Sequence, residues 1–295
     1  MIRILLTRKT GQIGYELERS LQGLGEVFAL DRAGMDLADL DQVRVVMRRI
    51  RPNLIVNAAA YTDVDRAENE PQLALRINAE APAVMAEEAR RVGAAMIHYS
   101  TDYVFDGAKP TPYTEDDIPA PLNAYGSSKL AGEQAIRNAG IAHLILRTSW
   151  IYGMRGSNFL LTVLRLARER DALRIVADQH GAPTWCRTVA AVSAHIVAQS
   201  RAAVDTKEWW QRRSGVYHLT ARGQTTWHGF AKNILALRTE GIQPPVMPIR
   251  TEQYPVPARR PVNSRLSCQR LMDAFFLDLP GWQQALRLCL QEPSH

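Results

Sequence analysis

Ile2-Arg3-Ile4-Leu5-Leu6-Thr7-Arg8-Lys9-Thr10-Gly11-Gln12-Ile13-Gly14 is the stretch on which the fold turns. A short run that is apolar at nearly every position predicts a strand covered on both faces. A polar turn with two glycines follows, and then the start of an amphipathic segment. Working outward, the same alternation recurs. Strands are predicted at Ile2–Leu6, Val27–Leu30, Leu54–Asn57, Met96–Ser100 and Leu144–Arg147, and helices at Ile13–Gln22, Leu40–Ile50, Pro71–Val92 and Tyr125–Asn138. Strands alternating with helices of this length build a parallel sheet. The fold class is therefore α/β, a Rossmann-like doubly wound parallel sheet. After Trp150 the alternation weakens. Helices are expected at Asn158–Glu169, Val189–Ser200, Trp227–Leu237 (capped by Thr225 or Thr226) and Trp282–Leu290, with strands at Leu173–Val176 and Val216–Leu219 and a Pro-rich stretch from Pro244 to Pro261. This predicts a first domain over residues 1–150 and a smaller C-terminal substrate-binding domain over 151–295, with segments near 185–215 returning to the first.

Composition narrows the function classes. The 295 residues are 46% hydrophobic, enough for a large core without disulfide staples. Cys186, Cys268 and Cys289 lie far apart, which excludes a disulfide framework or a zinc ribbon and suits a reducing cytosol. No apolar run approaches the roughly 20 residues that cross a bilayer, and Met1–Leu6 reads as a strand rather than a signal peptide. The expected location is cytoplasmic, with no membrane partner. The net charge of +6 favours an anionic partner without naming it. Trp209-Trp210 followed by Arg212-Arg213 reads as an exposed helix end or an insertion, because no nucleic-acid module accompanies it; no nucleic-acid partner is expected. His180, His218 and His228 show no metal spacing, and His98 reads as a packed strand residue.

The turn after the first strand sits where a dinucleotide-binding loop belongs. Gly11 would let the backbone approach a pyrophosphate at the positive end of the next helix, and Gly14 would allow close helix–strand packing. Arg8 stands where that fingerprint wants its first glycine. Asp31, ending the second strand, is placed to take ribose hydroxyls, whereas Arg32 beside it would suit a 2′-phosphate; NADPH and NADH both remain open as cofactors. The chemical signal is Tyr125-Gly126-Ser127-Ser128-Lys129. Residues four apart share a helix face, and an ammonium one turn from a phenol stabilises its phenolate. Ser100-Thr101 at the end of an earlier strand adds a hydroxyl able to polarise a carbonyl, and in a doubly wound sheet ligands gather at strand carboxyl ends.

Longer motifs carry a resemblance. They are Lys9-Thr10-Gly11-Gln12, Asn57-Ala58-Ala59-Ala60-Tyr61-Thr62-Asp63-Val64-Asp65, His98-Tyr99-Ser100-Thr101-Asp102-Tyr103-Val104-Phe105, Tyr125-Gly126 with Lys129-Leu130-Ala131-Gly132-Glu133, Arg147-Thr148-Ser149-Trp150, Asp178-Gln179 with Gly181-Ala182-Pro183-Thr184, and Pro257-Ala258-Arg259-Arg260-Pro261 with Asn263-Ser264. Along nearly its whole length the chain resembles the extended short-chain dehydrogenase/reductases, and among them the dTDP-4-dehydrorhamnose reductases. The resemblance implies an NAD(P)H-dependent oxidoreductase acting on a dTDP-sugar at its 4-keto group, in surface-polysaccharide synthesis. It implies Thr101, Tyr125 and Lys129 as catalytic residues. It places the cofactor against Gly11, Gln12, Ile13, Asp31, Arg32, Asp36, Leu37, Ala60, Tyr61 and Thr62, together with Tyr125 and Lys129. The sugar nucleotide falls to Thr101, Asp102, Trp150, Arg259 and Arg260, with one of the two arginines on its diphosphate.

The 4,6-dehydratases of the superfamily follow their threonine with an Asp-Glu pair. Here Asp102 is followed by Tyr103, a poor base for proton abstraction, which disfavours dehydration. Two alternatives stay open from sequence: a regulatory subunit of the same fold, or a reductase of another 4-keto-6-deoxy sugar nucleotide. Arg8 is expected to swing outward and, with Lys9 or Arg32, attract a 2′-phosphate. The family's magnesium at a dimer contact finds one ligand in Glu16 but meets Arg187 where a second acid is expected. Magnesium is therefore doubtful, no metal ligand is assigned, and a homodimer is left open.

Overall fold

The computed structural model describes residues 1–238 and 243–291, so the last four residues of the 151–295 segment lie outside the described residues. Four strand–helix alternations and a fifth strand begin the fold: β1 (Arg3–Thr7), α1 (Gln12–Ser20), β2 (Glu26–Leu30), α2 (Leu40–Ile50), β3 (Leu54–Asn57), α3 (Val64–Asn69), α4 (Pro71–Leu75), α5 (Ala81–Val92), β4 (Ala95–Thr101), α6 (Ala124–Asn138) and β5 (His143–Thr148). Smaller elements follow: β6 (Ile151–Tyr152), α7 (Phe159–Glu169), β7 (Leu173–Val176), β8 (His180–Gly181), β9 (Thr184–Trp185), α8 (Cys186–Ala202), α9 (Thr206–Arg212), β10 (Gly215–His218), β11 (Thr225–Thr226), α10 (Trp227–Ala236), β12 (Val246–Ile249), α11 (Gln269–Phe275) and α12 (Trp282–Leu290).

The main sheet has the order β10-β5-β4-β3-β1-β2, and every pairing in it is parallel. Alternation along each strand feeds two cores. Ile4 and Leu6 of β1 pack with Leu17 of α1, Val189 and Ile196 of α8, and Phe275 of α11. Leu5 faces the other way, against Val43 and Met47 of α2 and Met85 of α5. Truncating such a fully enclosed leucine to alanine costs about 2–5 kcal/mol. A third core gathers Tyr152, Leu160, Trp185, Phe230, Trp282 and Leu286, under the two-stranded pairs β6–β9, β7–β12 and β8–β11.

Local chemistry sets the element ends. Asp39, Asn123, Asn158 and Thr226 cap α2, α6, α7 and α10 by accepting from backbone N–H groups. Gly14 lets α1 close onto the strand end, since a Cβ there would lie 2.0 Å from the Arg8 carbonyl oxygen. The segment expected as one helix over Pro71–Val92 is interrupted by a π turn, Arg76–Glu80. The wider turn carries Asn78, whose side chain accepts from the Tyr61 N–H at 2.8 Å and donates to the Ser128 hydroxyl at 2.9 Å. Trp209-Trp210 is also corrected. It lies inside α9, where Trp210 is 5% exposed and part of the first core, because α9 packs onto α8. Among the described residues no helix is long and apolar enough to cross a membrane.

Candidate active site

From β1 the chain passes to β2 on one side, while β3 lies on the other. That reversal opens a crevice at the strand carboxyl ends. A cleft of about 350 Å³ lies there, lined by Arg8, Thr10, Asp31, Arg32, Asp36 and Leu37 on one wall and Ala60, Tyr61 and Thr62 on the other. Seven of the twelve expected cofactor residues are thus brought together. Gly11 caps α1 without any side-chain cap, which leaves first-turn amides for a ligand. Ile13 packs into the apolar cores instead, and the Gln12 side chain accepts from Asn158 at 2.9 Å, facing away from this cleft. Only the backbone of those two is placed for a phosphate. Asp31 accepts from the Gly34 N–H at 3.0 Å, so it also shapes the turn. Arg32 pairs with Asp36 at 3.0 Å, on the surface.

Arg8 overturns its expectation. Its side chain turns inward rather than outward, and Nη1 donates to the Ala60 carbonyl at 2.6 Å. The extended strand ends in a residue with φ 55°, and that left-handed backbone directs the side chain across Gly11.

The chemical end sits on β4 and α6. The Thr101 hydroxyl favours the ionised form of the Tyr125 phenol, but burial outweighs it and raises that phenol to about 12. Lys129 is 1% exposed; its Nζ donates to the Tyr99 carbonyl at 2.6 Å and lies 3.1 Å from His98 Nε2. Burial lowers this ammonium to about 8, with Glu133 pulling the other way. His98 is held in turn by Asn57 Nδ2, 3.0 Å from its Nδ1, while Asn57 Oδ1 accepts from Thr7 at 2.8 Å. A strand histidine expected to be mere packing is therefore the inner partner of the lysine. The signal was its place two residues before Ser100 on the same strand face, because Ser100 also reaches α6, donating to Glu133 at 2.5 Å. Glu133 in addition takes Arg147 in a fully buried ion pair, at 2.7 Å. Sequence reasoning assigned neither residue a task.

On the substrate side Asp102 is buried, and burial raises its carboxyl to about 6. Its Oγ neighbour Thr101 donates to Oδ1 at 3.1 Å, and Oδ2 has no hydrogen-bond partner. Tyr103 packs edge-on to Tyr125 with centroids 5.7 Å apart, and burial followed by Asp102 pushes its phenol upward, making it a still weaker base. Trp150, at φ 49°, stacks on Trp227 at 3.5 Å; Trp227, unforeseen from sequence, is fixed by a bond to Gln179. Arg260 is engaged by Asp65 through two bonds of 2.6 and 3.0 Å, whereas Arg259 is exposed. Their segment reaches the site because Asn263 bridges His180, joining two motifs that are distant in sequence.

The residues expected at a magnesium contact do not fit a divalent cation. Glu16 is held by the Arg187 guanidinium at 2.9 Å, and a hard cation would have to displace that charge.

A profile of the family described as RmlD substrate binding domain matches residues 2–294. The dTDP-4-dehydrorhamnose reductase of Burkholderia thailandensis is 47% identical, over 99% of both chains, and that of Escherichia coli K12 is 44% identical, over 99% of this chain and 98% of its own. A crystal structure of dTDP-4-dehydrorhamnose reductase from Bacillus anthracis in complex with NADP superposes with a TM-score of 0.90, at 35% identity and 99% coverage of each chain. A Thermus thermophilus UDP-glucose 4-epimerase, 20% identical and covering 98% of each chain, shares the fold with a TM-score of 0.78. Sequence, fold and the crevice geometry agree, and the chain belongs to the RmlD substrate binding domain family.

Proposed function

We propose that this chain is an NAD(P)H-dependent oxidoreductase that reduces the 4-keto group of dTDP-4-dehydro-L-rhamnose to give dTDP-L-rhamnose. The observation that supports it most is the pair of hydroxyl residues Thr101 and Tyr125, backed by a buried lysine against the same sheet whose strand ends open the crevice at Asp31 and Ala60. A nicotinamide bound there supplies the hydride that adds to C4. The protein's task is the proton and the charge. With a phenol at about 12, Tyr125 is protonated at neutral pH and is a donor rather than a base. A carbonyl oxygen entering beside the hydroxyls accepts from Tyr125, and from Thr101 once that hydroxyl turns from Asp102 to it, and receives the Tyr125 proton as its negative charge grows. Lys129, still mostly charged at pH 7, stabilises the phenolate left behind. Tyr103 is a poor base for abstraction at C5, which disfavours elimination.

Gly11, Gln12 and Ile13 would hold the cofactor phosphates through backbone, with Asp31, Arg32, Asp36, Leu37, Ala60, Tyr61 and Thr62 around its adenosine and ribose. Thr101, Asp102, Trp150 and the Arg259–Arg260 segment would meet the sugar nucleotide. The third core, around Phe230 and Trp282, would be the lobe that covers it. A cytoplasmic location, surface-polysaccharide synthesis and a homodimer that needs no magnesium go with this reading. The test mixes purified protein, NADPH and the keto-sugar nucleotide. Absorbance at the nicotinamide band should fall in step with dTDP-L-rhamnose on chromatography; no fall, or a different product, would reject it.

A further inference from the structure

Arg8 is the residue that the assigned chemistry leaves unexplained. It holds a left-handed backbone, φ 55°, which L side chains adopt at a cost and which persists mainly at functional sites. Its side chain lies along Gly11, whose position would tolerate no larger residue comfortably: a Cβ there would sit 3.1 Å from Arg8 Cγ, Cδ and Nε. The guanidinium spans the crevice from the β1–α1 turn to the loop after β3, where Ala60 accepts from Nη1 at 2.6 Å. Among the described residues no carboxylate lies within ion-pairing distance of it. A part-buried cation with one neutral acceptor is a costly arrangement, and an anion would repay it. The uncapped amides of α1 open at the same turn.

We infer that Arg8 binds the diphosphate of the dinucleotide, supplying a fixed cation in the place where a bare glycine turn would offer only backbone. This rests on the reading of the crevice as the NADP(H) site. The planar fork of arginine suits two phosphate oxygens at once. Gly11 then serves the arginine as much as the ligand, since only a residue without a side chain leaves it a path across the turn. The diphosphate is common to NADPH and NADH, so Arg8 raises affinity for both equally and does not choose between them.

The experiment measures Kd for NADPH and for NADH over a range of salt concentrations, by fluorescence titration, in the parent, Arg8→Gln and Arg8→Gly. The glutamine keeps bulk without charge, and the glycine relieves the backbone. Both variants should weaken both dinucleotides by the same factor, about tenfold, the scale of one charge-assisted hydrogen bond. Both should also flatten the salt dependence. A loss confined to NADPH would place the guanidinium on the 2′-phosphate and overturn the inference. Unchanged binding would leave Arg8 without a part in it, tighter binding would make Arg8 an obstruction, and either would overturn the inference too. A parent that binds neither dinucleotide would overturn the cofactor reading itself, and this assignment with it.

Discussion

The two ends of the crevice are built on different physical terms. At the chemical end, side chains are buried and fixed: Lys129 has two partners, His98 is pinned by Asn57, and Glu133 is locked to Arg147. At the outer rim of the nucleotide end charge faces solvent, where Arg32 and Asp36 hold each other on the surface, and Arg8 is drawn part-way inside. One end is rigid before any ligand arrives. The other offers loosely held charge. The difference teaches that here orientation for chemistry is stored in the core, while the charges at the outer rim, unlike the inward-turned Arg8, cost little to expose.

The contrast can be broken at four points, beginning with the largest effect. Removing the proton donor while keeping the ring, Tyr125→Phe, should lower kcat by about 10³-fold with little change in cofactor Kd, within the usual range for a general acid. A kcat reduced less than tenfold would take Tyr125 out of the chemistry. Next, Glu133→Gln leaves the enclosed Arg147 charge without its counter-ion, and breaking such a pair costs about 3–5 kcal/mol. Chemical denaturation should show that loss; a stability within 1 kcal/mol of the parent would mean that the rigid end is softer than it looks.

A third point concerns pH. The Lys129 ammonium, lowered to about 8 by burial, loses its proton as pH rises through that value, and with it the charge proposed to stabilise the Tyr125 phenolate. The kcat/KM for reduction, which reports the free enzyme, should be level below pH 7 and fall about tenfold per pH unit well above 8. A profile flat to pH 10 would contradict the assignment. The smallest effect is expected at the rim. Arg32→Ala should shift the NADPH to NADH preference by no more than about fivefold, because the side chain is 81% exposed and its ion pair is screened. A hundredfold shift would show that the rim is as pre-organised as the core.

What could be read in advance follows the same division. β3 and α2 run over the residues their patterns predicted, because one side of each is dictated by a core that repeats at fixed period. Tyr125 and Lys129 were legible because four residues on a helix is a geometric statement. His98 was not, since its meaning depends on a lysine 31 positions later being folded over it. The π turn at Arg76–Glu80 was hidden for a related reason: the need for Asn78 to meet both Tyr61 and Ser128 arises only in three dimensions. Arg8 was visible as a departure, but the direction of its side chain is set by one backbone angle that composition does not encode.

β10 has a consequence for how this chain is made. It docks on β5, Gly215 opposite Leu144, after an excursion of some seventy residues through other parts of the molecule. Until it arrives, β5 is a bare apolar ribbon edge, a template for pairing with any stray strand. During synthesis the ribosome thus releases residues 1–150 well before β5 gains its outer neighbour, the shorter edge strand β10. The interval favours chaperone capture or misassembly. A fragment cut at the apparent end of the alternating pattern would carry that sticky edge permanently, and cutting there to obtain a minimal cofactor-binding unit would select for aggregates.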